Sequence, residues 1–175
     1  MISGIEKDWV SPEGYHCVVR LHPRAGHRMG YIFIPTGDKA LMEPKYGIHK
    51  FGGKERKYLE YNDYDIEAPG GLTYGSEAMF DDTYPAEEDK PGIWFGFDCA
   101  HCDDKPDFDA WEAMHEEDDD KTAFDMMKKI DVDIWNKPGS IDNRHIWTIE
   151  EVANECESMS RQFYIMEKGK LNEEY

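Results

Sequence analysis

The chain has 175 residues, of which 39% are hydrophobic, and a formal net charge of −18 at pH 7. This length fits a single domain, residues 1–175, and the apolar content is sufficient for a core. The charge repels nucleic acid and anionic membranes, and no apolar run approaches the roughly 20 residues of a membrane helix, so we expect direct binding to neither. Such a charge instead favours cations, metals and basic protein surfaces as partners.

The first part of the chain predicts a hairpin followed by shorter strands. YHCVVRL alternates apolar and polar residues and MGYIFIP is rich in β-branched and aromatic ones, so the two read as strands joined by the turn HPRAGH. Glycines and prolines predict loops over residues 36–53. We predict strands at residues 15–21, 29–35, 58–61, 70–76 and 92–98.

Two helices are predicted in the second part. TAFDMMKKIDVDIW, residues 122–135, has apolar residues at helical spacing. These residues are Ala123, Met127, Ile130 and Ile134. The last element, residues 148–166, opens with a capping box of Thr148 and Glu151 and continues with an apolar stripe. We therefore predict an α+β domain, a mainly antiparallel sheet with the C-terminal amphipathic helix packed on one face and an acidic central insertion.

The negative charge is concentrated in that insertion. Residues 81–133, which we call the acidic segment, carry 19 acidic side chains against 5 lysines, a net charge of −14. Residues 1–60 carry 10 basic and 7 acidic side chains, a net charge of +3. A solvated face is the commonest reason for such a run, and a docking surface for a cationic partner is the functional alternative.

Potential metal ligands follow the predicted strand 92–98. Six of them fall within seven residues: Asp98, Cys99, His101, Cys102, Asp103 and Asp104. Cys99 and Cys102 have the C-x-x-C spacing that presents two sulfurs to one ion, and zinc takes about four thiolate or imidazole ligands. The N-terminus has no secretory signal pattern, so we expect a cytoplasmic protein with reduced cysteines that are free to bind metal. The ligands predicted for zinc are Cys99, His101, Cys102 and His27.

Two other interpretations of this cluster stay open. Strand alternation makes Cys99 a small core residue, in which case Asp98 and His101 make only local hydrogen bonds. Alternatively, a metal-dependent hydrolase uses the cluster to act on a phosphate-containing substrate. Its catalytic residues would be Asp98, His101, Asp104 and His27. Its phosphate-binding residues would be Arg20, Arg24 and Arg28.

Four blocks of the sequence resemble a family of small proteins found in phages and prophages. The blocks are CVVRLHPRAGHRMGYIFIP, PGGLTY, IWFGFDCAH and a C-terminal helix with spaced glutamates, in that order between residues 14 and 165. The family pattern reads G-H-x-C-G-Y-V-x-V-P, H-G-G-L-T-[FY] and W-[FI]-G-F-D-C-A-H-x-x-D. The matching positions are Gly26, His27, Gly30, Tyr31, residues 70–74, residues 97–101 and Asp104.

Two positions depart from the family pattern. Met29 stands where the family has cysteine, and Pro69 stands where it has histidine. Cys102 lies outside the pattern and is a candidate local replacement. If the family's cysteine and histidine serve a reaction or a metal, this chain lacks both, which favours a binding function over catalysis.

The resemblance implies a phage-encoded protein in the cytoplasm of an infected or lysogenic bacterium. Small acidic phage proteins include anti-CRISPR proteins, and a Cas effector carries a positively charged channel for nucleic acid. We therefore expect an inhibitor of a host defence protein, in its most specific form a Cas9 inhibitor that docks on Cas9 or its guide-RNA complex. The predicted partner-binding residues are Tyr84, Phe108, Trp111, Glu116, Glu117, Asp118, Asp119 and Asp120.

Overall fold

The computed structural model describes residues 4–35, 46–51, 54–60, 64–76, 91–115, 122–135, 137, 139 and 141–173. The strands are β1 (Ile5–Val10), β2 (His16–Leu21), β3 (Arg28–Pro35), β4 (Tyr46–Phe51), β5 (Lys54–Leu59), β6 (Tyr74–Ser76) and β7 (Gly92–Asp98). The helices are α1 (Phe108–Met114), α2 (Thr122–Trp135) and α3 (Ile149–Glu173).

Five strands form one antiparallel sheet in the order β1–β2–β3–β7–β6, and β4 pairs with β5 as a separate hairpin. The pairing of β2 with β3 confirms the predicted hairpin. β7 lies on the other side of β3, with Met29 opposite Asp98 and Ile32 opposite Phe95. Both faces of β7 are buried from Gly92 to Phe97, which explains why this strand is a continuous apolar run and does not alternate.

The C-terminal helix α3 covers one face of the sheet, so the predicted α+β architecture is confirmed. The buried stripe of α3 consists of Val152, Cys156, Met159 and Phe163. It packs on core residues of the sheet such as Ile32 and Phe95. Gly30 permits this close approach, because a Cβ at this position would lie 2.7 Å from Sγ of Cys156 and 2.5 Å from the ring of Phe97.

The predicted capping box begins α3. The backbone N of Thr148 donates to Oε2 of Glu151 at 2.7 Å, and the backbone N of Glu151 donates to Oγ1 of Thr148 at 3.2 Å. The helix then continues to Glu173, seven residues beyond the predicted end at 166. None of the helices that the structure describes is long and apolar enough to cross a membrane.

Several elements differ from the sequence predictions. β1 and α1 were not predicted, β4 lies where residues 46–51 were predicted as loop, and β5 overlaps the short strand predicted at 58–61. The rest of the loop predicted over residues 36–53 lies outside the described residues. β6 is shorter than predicted because Gly70 and Gly71 form a turn with φ of +67° and +86°. These elements have weak patterns of their own, and pairing or packing with neighbours determines their structure.

α1 and α2 form what we call the helical arm, which has a small core of its own. This core consists of Leu21 at the end of β2, Trp111 of α1 and Phe124 of α2, and it is separate from the core beneath α3. The rings of Trp111 and Phe124 meet edge to face, with centroids 4.9 Å apart. Asp107 caps α1 by accepting a hydrogen bond from the backbone N of Ala110 at 3.0 Å. This small core therefore attaches the helical arm to the end of the sheet.

Candidate functional site

Blocks that lie far apart in the sequence meet at one end of the sheet. The pairing of β3 with β7 places Met29 opposite Asp98. The turn of residues 22–27 precedes β3 and therefore lies at this end, as does His101, which follows β7. Gly70, in the turn before β6, lies against the ring of His101. The end of the sheet thus gathers the histidines and acids that the sequence marked as chemical candidates.

Asp104 holds His101 in one orientation. Its Oδ2 accepts a hydrogen bond from the backbone N of His101 at 2.8 Å and lies 3.1 Å from Nδ1 of the same residue. Its Oδ1 accepts a hydrogen bond from the indole N of Trp147 at 2.7 Å. Burial raises the pKa of Asp104, but these hydrogen bonds outweigh burial and hold the pKa below its usual value. Since Nδ1 faces a carboxylate, Nε2 is left as the basic nitrogen, as in general bases and metal-binding histidines.

Nε2 of His101 faces the turn at Gly70. A Cβ at Gly70 would overlap this ring, and the φ of +67° also favours glycine. The residue before it is Pro69, so this turn does not supply the imidazole of the family pattern. The side chain of His101 is 40% exposed, which leaves the ring accessible to solvent.

His27 lies in the same neighbourhood. Burial lowers its pKa, and a hydrogen bond with the backbone of Cys99 and the charges of Asp104 and Asp98 only partly oppose this effect. Nδ1 of His27 is buried and has no hydrogen-bond partner among the described residues. The structure therefore brings His27, Asp98 and Asp104 near one another and places Asp104 in direct contact with His101.

The two cysteines of the C-x-x-C motif lie in different environments. Cys99 is buried in the core beneath α3, and burial raises the pKa of its thiol well above the ordinary range. Cys102 is exposed. Within the described part of the chain, no group of three or more His, Cys, Asp or Glu side chains could hold a metal ion. Zinc bound by Cys99, His101, Cys102 and His27 stays a prediction.

The three arginines proposed for phosphate binding also differ from one another. Arg28 is buried and is engaged with the carboxylates of Glu6 and Asp107. Arg20 is buried in the sheet and Arg24 is exposed. Because Arg28 forms ion pairs with two acids inside the fold, its charge serves the fold and not phosphate binding. This role was not predicted from the sequence, since Glu6 and Asp107 lie in segments without a clear pattern.

The predicted partner-binding aromatic residues are part of the helical arm. Trp111 is 3% exposed, and its indole N donates to the backbone O of Pro23 at 2.8 Å. Phe108 is partly buried beside it. These rings build the core of the helical arm. Tyr84 and residues 116–120 lie outside the described residues.

The helical arm exposes apolar side chains that the sequence indicated only as a helical stripe. Met127, Ile130 and Ile134 are 44%, 40% and 52% exposed. Their spacing correctly predicted α2, whose bounds match the predicted residues 122–135. The spacing alone could not show whether the stripe faces a core or the solvent.

No protein-family model, curated protein or solved structure matches this chain. The site is therefore interpreted from its own geometry and charge.

Proposed function

We propose that this protein is an acidic inhibitor that binds a basic surface of a partner protein through the acidic segment. The observation that carries the proposal is that α1 and α2, which lie within the acidic segment except for the last two residues of α2, form a separate helical arm at one end of the sheet. Because the helical arm has its own small core, the sheet serves as a scaffold that presents the acids of the arm to a partner.

The acids of this arm are available to a partner. Asp109, Asp125 and Asp133 are exposed. A surface of this sign steers association with a basic protein over distances comparable to the Debye length, about 10 Å at 0.1 M salt. It also disfavours wrong partners through like-charge repulsion. Binding without turnover is sufficient for an inhibitor of this kind.

The resemblance to the phage family directs the proposal to a host defence protein. The most specific form is a Cas9-type effector, because its nucleic-acid channel is positively charged. In this form the acidic segment occupies a surface that otherwise handles nucleic acid. The inhibitor acts in a stoichiometric complex and leaves the effector covalently unchanged.

The experiment compares two charge variants of equal size in binding a purified Cas9–guide-RNA complex. The first variant changes Asp118, Asp119 and Asp120 to Asn in the acidic segment, and the control changes Glu150, Glu155 and Glu157 to Gln on α3. We expect the first variant to associate about 10-fold more slowly than the control, and added salt to slow association of the wild type. Equal rates for both variants, or rates independent of salt, would contradict the proposal.

A second candidate function is supported by the convergence of His27, Asp98, His101 and Asp104 at one end of the sheet. In a metal-dependent hydrolase of a phosphate-containing substrate, Asp104 would orient the ring of His101 and Nε2 would accept a proton from water. The assay is hydrolysis of bis(p-nitrophenyl) phosphate with added Zn²⁺ or Mn²⁺. Turnover that is lost in His101→Ala would support this candidate, and absence of turnover in the wild type would reject it for this substrate class.

A further inference from the structure

We propose that the apolar stripe of α2, formed by Met127, Ile130 and Ile134, inserts into an apolar groove on the basic partner protein. This inference rests on the proposed function and names the element that makes the contact specific. Electrostatic attraction accounts for the approach of the two proteins, and the stripe accounts for the choice of partner.

The stripe lacks the environment that its pattern predicts. In a surface helix of a globular protein, apolar residues at spacings of three and four normally face the core. In α2 these residues are at least 40% exposed, as are Met126 beside the stripe and Val132 on another face, whereas Phe124 of the same helix is 6% exposed. Large apolar side chains grouped on one exposed helix face are typical of interaction sites.

A different face of α2 attaches the helix to the rest of the protein. Phe124 packs against Trp111, and Nζ of Lys128 lies 3.3 Å from Oε2 of Glu112 in α1. Further along the helix, Asp131 and Trp135 share one partner. That partner is Arg144, which donates to both oxygens of Asp131 at 2.8 and 2.9 Å and stacks 4.3 Å from the ring of Trp135.

These attachments hold the stripe in a fixed direction. Phe124, Lys128, Asp131 and Trp135 share one helix face, because they are spaced by four, three and four residues. At about 100° per residue, Met127, Ile130 and Ile134 lie roughly a quarter turn away from that face. The helix is therefore anchored along its length with the stripe turned outward. Such preorganisation lowers the entropic cost of binding.

Charge selects the occupant of this surface. Apart from its last two residues, α2 lies within the acidic segment, which has a net charge of −14, and a second copy of the chain would carry the same field. Like charges disfavour self-association as well as nucleic acid and anionic membranes. The partner that fits is a protein with an apolar groove bordered by lysine or arginine. An amphipathic helix that places residues i, i+3 and i+7 in such a groove is a recurrent mode of recognition.

The test replaces the stripe without changing charge. Ile130 and Ile134 are changed together to Ser, and Ile165→Ser on α3 is the matched control because Ile165 is 68% exposed and lies outside the helical arm. Binding of each variant to a purified Cas9–guide-RNA complex is measured by interferometry, and circular dichroism verifies that α2 remains helical. Ile130→Leu is a conservative variant that preserves the apolar contact.

We expect the double variant to bind about 30-fold more weakly or worse, as for the loss of interface hot spots. Ile165→Ser and Ile130→Leu should stay within about threefold of the wild type, in the range of neutral interface contacts. Wild-type affinity in the double variant would overturn the proposed role of the stripe, but not the proposed docking through the acidic segment. Absence of wild-type binding would overturn both proposals. A wild-type dimer that becomes monomeric in the double variant would identify a second copy as the occupant, which also overturns the inference.

Discussion

Arg28 joins three parts of the fold, and its removal is expected to destabilise the end of the sheet that carries the candidate site. Nε and Nη2 donate to the two oxygens of Glu6 in β1, both at 2.8 Å. Nη1 donates to Oδ2 of Asp107 at 2.7 Å and to the backbone O of Trp147 at 2.6 Å. Because the side chain of Arg28 is 6% exposed, solvent screens these contacts little.

Arg28→Ala leaves the carboxylates of Glu6 and Asp107 without their cation. Glu6 is 17% and Asp107 23% exposed, so we expect the free energy of unfolding to fall by about 3–5 kcal/mol, as for breaking a buried ion pair. The control is Lys7→Ala, which breaks a pair with Glu150, a residue 77% exposed, and should cost less than about 1 kcal/mol. Urea unfolding at pH 7, followed by tryptophan fluorescence, measures both changes.

The pH dependence provides a second test of the same reasoning. Burial raises the pKa of Asp107, but hydrogen bonds from Ala110 and Arg28 outweigh burial and leave the pKa lowered. A lowered pKa contributes stability above the unfolded value of about 3.9, and this contribution is lost as the pH falls through the folded value. The difference in free energy of unfolding between the wild type and Arg28→Ala should therefore have its full size at pH 7 and become smaller below about pH 4. A difference under about 1 kcal/mol at pH 7, or one that stays constant into acid, would refute this account.

Other predictions follow from packing and from the cysteines. Gly30→Ala should lower the free energy of unfolding by about 1–3 kcal/mol, because the new Cβ would crowd buried side chains. Gly169→Ala should be neutral or stabilising, because a Cβ at this position would have no atom within 4 Å. Urea unfolding measures both changes. In the native protein, Ellman's reagent should modify only the exposed thiol of Cys102, and in urea it should modify all four thiols. Fast reaction of more than one thiol in the native protein would contradict the burial of the other three cysteines. Elemental analysis tests the predicted zinc. If Cys99 and Cys102 bind zinc, Cys102 should react with Ellman's reagent only after a chelator is added. If zinc is still bound in Cys99→Ser, Cys99 is not one of its ligands.

The sequence predicts the elements whose pattern reflects their burial. β7 is a continuous apolar run because both of its faces are buried, and α3 carries its stripe and its capping box in the sequence itself. By contrast, IEKDWV in β1 mixes charges with apolar residues, since its position at the edge leaves all six of its residues exposed or partly exposed. Its structure depends on pairing with β2, which no local pattern reveals.

In the candidate site, some contacts are also predictable from the sequence and others are not. The block from Asp98 to Asp104 is dense enough in chemical groups for the sequence to mark it, and the spacing of three is realised in the contact between His101 and Asp104. The approach of Gly70 and the hydrogen bond from Trp147 join residues far apart in the chain, so they appear only once the sheet is formed. The outward direction of the stripe on α2 likewise follows from Arg144, which holds a face of the helix about a quarter turn away from the stripe.

The buried core of the helical arm is smaller than the core beneath α3. Leu21, Trp111 and Phe124 form the core of the arm, whereas α3 and the sheet share a much larger apolar interior. Opening free energies follow the apolar surface that each region buries, so amide hydrogens in α2 should exchange with solvent deuterium sooner than those of β3 or β7.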